Sequence, residues 1–121
     1  MKKPALSTSL ALALLTLLPG MARAEVREFR AVAVELGGTK FWLPSTFVVH
    51  QGDTVKIKAV SKITTPGSTD HGFAIPGYGI EKVIGAEEQT IEFKADKAGI
   101  FPMHCQLHPA HVGGELVVMK K

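Results

Sequence analysis

Short runs in which apolar and polar residues alternate make up most of the chain beyond residue 24, and they predict β-strands. The clearest run places Val55, Ile57 and Ala59 on one face and intervening Thr and Lys residues on the other. Further strands are predicted at 26–35, 46–49, 72–75, 90–95, 100–105 and 116–119, and the segment 79–84 stays ambiguous. Gly and Pro residues bound these runs, which is typical of short strands joined by turns.

This pattern predicts an all-β domain with seven to eight strands. Helical periodicity is scarce, and we find no internal repeat and no linker. Many short strands with Gly and Pro at their ends favour a β-sandwich with Greek-key connections. The predicted domain covers residues 25–121, a length that supports one modest hydrophobic core.

The first 24 residues are predicted to be a secretory signal peptide. Lys2 and Lys3 give a positive start, residues 5–18 form an apolar run, and Ala22-Arg23-Ala24 matches an A-x-A cleavage pattern. The apolar run is too short for a membrane span, although an uncleaved N-terminal anchor is the competing interpretation. We therefore expect a periplasmic or secreted protein that begins at Glu25 and contains no membrane span.

Removal of this leader also changes the charge balance. The whole chain has 14 basic and 11 acidic residues. The three basic residues Lys2, Lys3 and Arg23 leave with the leader, so equal numbers of both signs remain. A near-neutral domain without a basic stripe gives no reason to expect nucleic acid as a partner.

The only cysteine lies in a histidine-rich segment near the C-terminus. Segment 103–118 holds Cys105 and three of the five histidines, and Cys105, His108 and His111 follow at three-residue spacing. An exported chain with one cysteine forms no internal disulfide, so the thiol is reactive, paired between chains, buried and inert, or bound to metal. A thiolate with several imidazoles suits copper, so the segment predicts a mononuclear copper–thiolate site.

Four residues are predicted to bind this one copper ion. Cys105 ends a predicted strand, and the Gly- and Pro-rich turn after it can bring His108 and His111 to the same ion. His71 opens another strand after a polar loop, and a sandwich can place that strand end beside the cysteine loop. The expected metal ligands are therefore His71, Cys105, His108 and His111.

Each of these histidines also has a plainer interpretation. His108 as a turn residue, His71 as a strand-end residue and His111 as a solvated loop residue remain alternatives. Met103 alternates with the cysteine and is expected to fill the core. His50 lies in a polar turn and is expected to be solvated. Zinc is the competing metal, although copper binds such ligands more tightly in the divalent series.

The cysteine segment resembles the copper-binding loop of the cupredoxins, in which a Cys-x2-His pair is followed by Met. His111 stands where that Met would be. The stretch 71–76, with 79–80 after it, also resembles the copper domain of cytochrome oxidase subunit II. The two-copper centre of that domain needs a second cysteine, which this chain lacks. The resemblance implies a cupredoxin-type fold, a domain at 25–121 and copper as cofactor, one ion per chain.

A further resemblance, to nitrosocyanin-like cupredoxins, covers residues 47–118. It is most visible at 72–73, 95–99 and 105–109. Two departures stand out: nitrosocyanin has a Glu ligand where the match places His71, and its loop to the second histidine is two residues longer.

A copper site closed by protein ligands in a rigid sandwich favours one-electron transfer. We therefore expect an electron carrier, rather than an enzyme, that docks a redox partner protein near His108. The nitrosocyanin resemblance supports an alternative, a copper site that binds a small molecule such as nitric oxide or is catalytic. Copper delivery or storage ranks last, because Met103 and Met119 are the only methionines after the leader.

The position of Gly72 supports one finer expectation. It follows the predicted ligand His71 on the strand that faces the cysteine loop. We expect its backbone N–H to donate a hydrogen bond to the Cys105 sulfur, because such contacts orient and tune metal ligands.

Overall fold

The computed structural model describes residues 1–5, 23–108 and 111–121. Most of the predicted signal peptide, including its apolar run, lies outside the described residues, as do Pro109 and Ala110 of the cysteine loop.

The described residues form nine strands, and a 3-10 turn at Pro76–Tyr78 is their only helical element. The strands are β1 (Val26–Leu36), β2 (Thr39–Leu43), β3 (Thr46–His50), β4 (Thr54–Ser61), β5 (His71–Ile75), β6 (Ile80–Ile84), β7 (Gln89–Lys94), β8 (Gly99–Met103) and β9 (Gly114–Met119). The all-β prediction is confirmed, and the ambiguous segment 79–84 contains β6. The count exceeds the predicted seven to eight because the pattern at β2 was not recognised as a strand.

The strands are arranged in three sheets. One sheet has the order β2-β1-β4-β7, a second has the order β3-β9-β8, and β5 pairs with β6. The pairs β1–β4 and β3–β9 are parallel, whereas the remaining pairs are antiparallel. Phe29 of β1 and Phe47 of β3 meet edge to face with ring centroids 5.1 Å apart, so the two larger sheets share one apolar interior.

Alternation along β4 explains how the core is filled. Val55, Ile57 and Ala59 are completely buried, while Lys58 between them is exposed, as the sequence pattern predicts. Full burial of a side chain such as Ile57 is worth about 1.5–3 kcal/mol. Met103 is also buried in this core, which confirms its expected packing role.

Two backbone connections place the cysteine segment. Ala74 of β5 and His104 exchange two backbone hydrogen bonds of 2.9 and 3.0 Å, which ties the β5–β6 hairpin to the chain just before Cys105. Met103 of β8 pairs with Gly114 of β9, so residues 104–113 leave the sheet from this one pair. The hairpin and the loop therefore meet at one end of the sandwich.

Candidate metal centre

Three of the four predicted ligands come together at this end of the sandwich. His71 is the first residue of β5 and is fully buried, and Cys105, two residues beyond β8, is 2% exposed. One ligand atom each from His71, Cys105 and His111 lies within 4.8 Å of the others. Among the described residues, this is the group of histidine, cysteine and carboxylate side chains that is positioned to bind a metal ion.

The two imidazoles of this group nearly touch. The Nδ1 atoms of His71 and His111 are 3.2 Å apart, and their ring centroids are 4.9 Å apart. Two nitrogens that each bind one ion at about 2.0–2.1 Å in a tetrahedral arrangement are separated by roughly 3.3 Å. The observed spacing therefore fits a shared metal ion.

His108 lies beside the group but does not belong to it. Its ring stacks on His111 with centroids 4.4 Å apart and an interplanar angle of 21°. Its Nδ1 atom is buried and has no hydrogen-bond partner among the described residues. A buried nitrogen without a partner is costly unless something else satisfies it, so the Nδ1 atom of His108 is a candidate to bind the same metal ion or another ligand.

The backbone of the loop brings His108 and His111 back towards β5. The N–H of His108 donates to the carbonyl of Cys105 at 3.3 Å, and the N–H of His111 donates to the carbonyl of His108 at 3.0 Å. Glycine is needed where the chain returns to the sheet, because a Cβ at Gly113 would lie 2.7 Å from the Met103 carbonyl oxygen. These successive turns explain why a three-residue spacing suits the site.

Burial and neighbouring basic groups keep the imidazoles of His71 and His111 neutral. The pKa of His71 is lowered to about 4. Burial is the largest cause, followed by His111, His108 and Lys40. Burial, His108 and Lys40 likewise lower the pKa of His111, against a smaller opposing effect of Glu35. A histidine must be neutral to bind a metal through nitrogen, so both rings are in the ligand form near neutral pH.

The Cys105 sulfur accepts a hydrogen bond from the protein backbone. The N–H of Gly72 lies 3.1 Å from Sγ, which confirms the donor expected from the sequence. Gly72 has no space for a side chain, because an added Cβ would lie 2.9 Å from the backbone nitrogen of Gln106. A backbone donor on a metal-binding sulfur tunes the charge that the sulfur gives to the metal.

Trp42 of β2 supports the same two residues, and the sequence analysis missed it. Its indole stacks on the His71 ring with centroids 5.2 Å apart and an interplanar angle of 26°. Its Nε1–H donates to the Gly72 carbonyl at 2.8 Å. Trp42 therefore restricts the rotation of His71 and fixes the residue that donates to the sulfur. The feature of the sequence that could have identified Trp42 is that it is the only tryptophan in the chain.

Lys40, also on β2, was missed as well. The residue is only 7% exposed, and its Nζ donates to the backbone carbonyl of Ser68 at 2.9 Å and contacts the Ser68 hydroxyl. The same Nζ is 3.6 Å from a carboxylate oxygen of Glu35, which in turn accepts from the Thr65 hydroxyl. These contacts fasten the polar loop that leads into His71. The remaining predicted feature, the solvated His50, is exposed as expected.

Comparisons with known proteins place these features in a family. Residues 8–118 match the cupredoxin-like domain family. Copper-containing nitrite reductases from Alcaligenes xylosoxydans xylosoxydans and Pseudomonas chlororaphis are each 33% identical to the chain over 88 residues, covering 63% of it. The chain spans only 27% and 24% of the lengths of these two relatives.

A solved structure shows the same fold. Copper nitrite reductase from Nitrosomonas europaea superposes with a TM-score of 0.62 at 18% identity, over 79% of this chain and 42% of that one. Among the described residues, no helix is long and apolar enough to cross a membrane. The β-sandwich and the family match together establish that this chain belongs to the cupredoxin-like family, and its His71–Cys105–His111 group is positioned to bind a metal ion.

Proposed function

We propose that the chain is an exported copper protein that carries single electrons to or from a redox partner and is not itself an enzyme. The observation that carries this proposal is the hydrogen bond from the Gly72 backbone to the buried Cys105 sulfur at 3.1 Å. The sulfur is held by backbone from another strand, so it has little freedom to move when the charge on a metal changes. Little ligand movement favours fast electron transfer.

A bound copper ion would supply the one-electron redox change, and the surrounding residues would limit structural change around it. Trp42 and His111 lie against the His71 ring, so that the imidazole keeps one orientation. The Gly72 N–H, which donates to the Cys105 sulfur, would withdraw part of the charge that this sulfur carries when it binds copper. His71, Cys105 and His111 would hold the ion, with His108 as the fourth ligand predicted from the loop spacing.

The partner is proposed to dock over the cysteine loop near His108. Leu107 and Val112 flank His108 and His111 in the loop, and they are 42% and 56% exposed. Exposed apolar side chains around a partly buried imidazole suit a transient contact with another protein. The predicted signal peptide at 1–24 supports a periplasmic or secreted location for this exchange.

One observation favours a second function, a copper site that binds a small molecule such as nitric oxide. His108 is outside the group formed by the other three side chains, and its Nδ1 atom has no partner among the described residues. If His108 does not bind the ion, one coordination position is open to an exogenous ligand.

Cys105→Ser is expected to abolish the copper–thiolate colour and to weaken copper binding by orders of magnitude, because no other soft ligand is available. Optical absorption and a copper titration of both proteins provide the measurement. Met103→Leu, a substitution two residues away in the core, serves as the control and should keep the colour. Retained colour and tight binding in Cys105→Ser would refute the site assignment.

His111→Met is expected to shift the absorption towards the red end and to raise the reduction potential, because a thioether donates less charge to Cu(II) than an imidazole. Absorption spectra and potentiometry measure both effects. His50→Met replaces an exposed histidine and should leave both unchanged. An unaltered spectrum and potential in His111→Met would show that His111 is not a ligand.

His108→Ala distinguishes the two functions. If His108 is the fourth ligand, the variant loses the parent spectrum and added imidazole restores it, while the parent protein does not respond to nitric oxide. Optical titrations with imidazole and nitric oxide measure both responses. Reversible binding of nitric oxide by the parent protein, together with an unchanged spectrum in His108→Ala, would favour the small-molecule site instead.

Trp42→Phe retains an aromatic ring over His71 but removes the donor to the Gly72 carbonyl. We expect the Gly72 N–H to bind the sulfur less firmly and the reduction potential to fall by some tens of millivolts. This follows because a hydrogen bond contributes about 0.5–1.5 kcal/mol and 59 mV corresponds to about tenfold for one electron. The potential and the hydrogen exchange of the Gly72 amide provide the measurements.

Tyr78→Phe is the matched control for this test. It removes the hydroxyl that donates to the Lys97 carbonyl at 2.7 Å, outside the metal group. The control should therefore change stability without changing the potential. Equal potentials in Trp42→Phe and Tyr78→Phe would show that the indole N–H does not tune the site.

A further inference from the structure

A buried carboxylate lies at the other end of β3 and β9 from the metal loop. Asp53, in the turn between β3 and β4, is 1% exposed. Its Oδ1 accepts from the backbone nitrogen of Glu25 at 3.0 Å, its Oδ2 accepts from the His50 N–H at 2.9 Å, and Arg27 Nε is 3.5 Å from Oδ2. A carboxylate this deeply buried needs charged or hydrogen-bonding partners.

These partners keep Asp53 ionised. Burial raises the pKa of its carboxyl, but the backbone N–H groups of Glu25 and His50, followed by Arg27 and Lys121, lower it more. The net result is a pKa below the ordinary value, so the group carries a full negative charge at neutral pH.

The nitrogen of Glu25 is held in place by the domain itself. The Glu25 carbonyl accepts from the Thr54 N–H at 2.9 Å, and the next residue, Val26, opens β1 in register with Thr54. Ala24 and Arg23 before it are exposed. The contact between Asp53 and the nitrogen of residue 25 therefore does not need the preceding residues, and the bond between Ala24 and Glu25 is accessible.

We propose that cleavage after Ala24 turns the nitrogen of Glu25 into an α-ammonium group that Asp53 binds as an ion pair, so that removal of the leader strengthens the fold. In this step water breaks the bond between the Ala24 carbonyl carbon and the Glu25 nitrogen. Ala24 leaves as a carboxylate, and the new amine takes up a proton. The proposal rests on the predicted cleavage site and not on electron transfer.

The surrounding charges support this arrangement. Asp53 borders a cavity of about 180 Å³ whose lining residues are Arg23, Glu25, Arg27, His50, Asp53 and Lys121. Cleavage removes the Arg23 guanidinium from this cavity and adds one positive charge at Glu25. The number of cationic groups stays the same, while one of them moves to within 3.0 Å of the carboxylate.

The ion pair has a defined pH dependence. An ammonium group paired with Asp53 has a pKa above the ordinary α-amino value of about 7.7–8.0. Its contribution to stability is fully present below that ordinary value and is lost as the pH rises through the raised value. The other charged or titratable groups that face this carboxylate are Glu25, Arg27, His50 and Lys121, and all four are the same in the two forms of the protein compared below.

The experiment compares copper-loaded protein that begins at Glu25 with protein that begins at Ala24, each released from a fusion by a protease that leaves no extra residue. The Ala24 form has an uncharged amide at residue 25 and carries its ammonium one residue away. At pH 6.5 we expect the Glu25 form to melt about 4–8 °C higher, the shift that a stabilisation of about 1 kcal/mol gives in a domain of this size. The difference should vanish at high pH.

Asp53→Asn in both forms completes the comparison, and it should remove the difference between them. If this variant does not fold, the α-amine pKa of the parent Glu25 form, measured by NMR, replaces it, with a value above the ordinary range expected. The intact mass of the exported full-length chain should correspond to a start at Glu25. Equal melting temperatures, an ordinary amine pKa or a different start would each overturn the proposal, whereas copper colour and potential would not be affected.

Discussion

The backbone of Gly72 holds the two halves of the metal site together. Its N–H donates to the sulfur of Cys105, and its carbonyl accepts from the indole of Trp42. Three separate stretches of chain therefore meet at one residue without a side chain. Because Gln106 packs directly against this position, any bulk there would push β5 away from the cysteine segment. The metal site thus depends on close contact between backbones as much as on its ligands.

The neutral state of His71 and His111 has a consequence for metal binding. His71 is buried beside two other imidazoles and within reach of the charge on Lys40, and all of these lower its pKa. A copper ion therefore does not have to displace a proton from His71 near neutral pH. The burial of His71 thus favours the form of the ligand that binds a metal. Lys40 serves two purposes, since it also fastens the loop before His71.

The sequence predicted the chemistry of the site better than its geometry. The types and spacing of Cys105, His108 and His111 are local features, and they were sufficient to indicate copper. His71 could be found because it opens a strand after a polar loop. Trp42 remained hidden, since a buried aromatic residue in an alternating pattern predicts core packing, and its contact with Gly72 spans 30 residues. The stacking of His108 on His111 depends on side-chain torsions, which no spacing specifies.

The cysteine loop joins β8 to β9 at a single residue pair, Met103 and Gly114. Both residues belong to strands whose register is fixed along their length, with Leu116 buried opposite Phe101. The described residues of segment 104–113 contact the sandwich through this rung, through residues 104–106 against the β5–β6 hairpin, and through His111 against His71. Exchanges at Leu107 and Val112, whose side chains are exposed, would leave the hydrogen bonds of the sheets intact. The ligands that the loop supplies can therefore change in evolution by exchange of one short segment, while His71 stays in place on β5 of a constant scaffold.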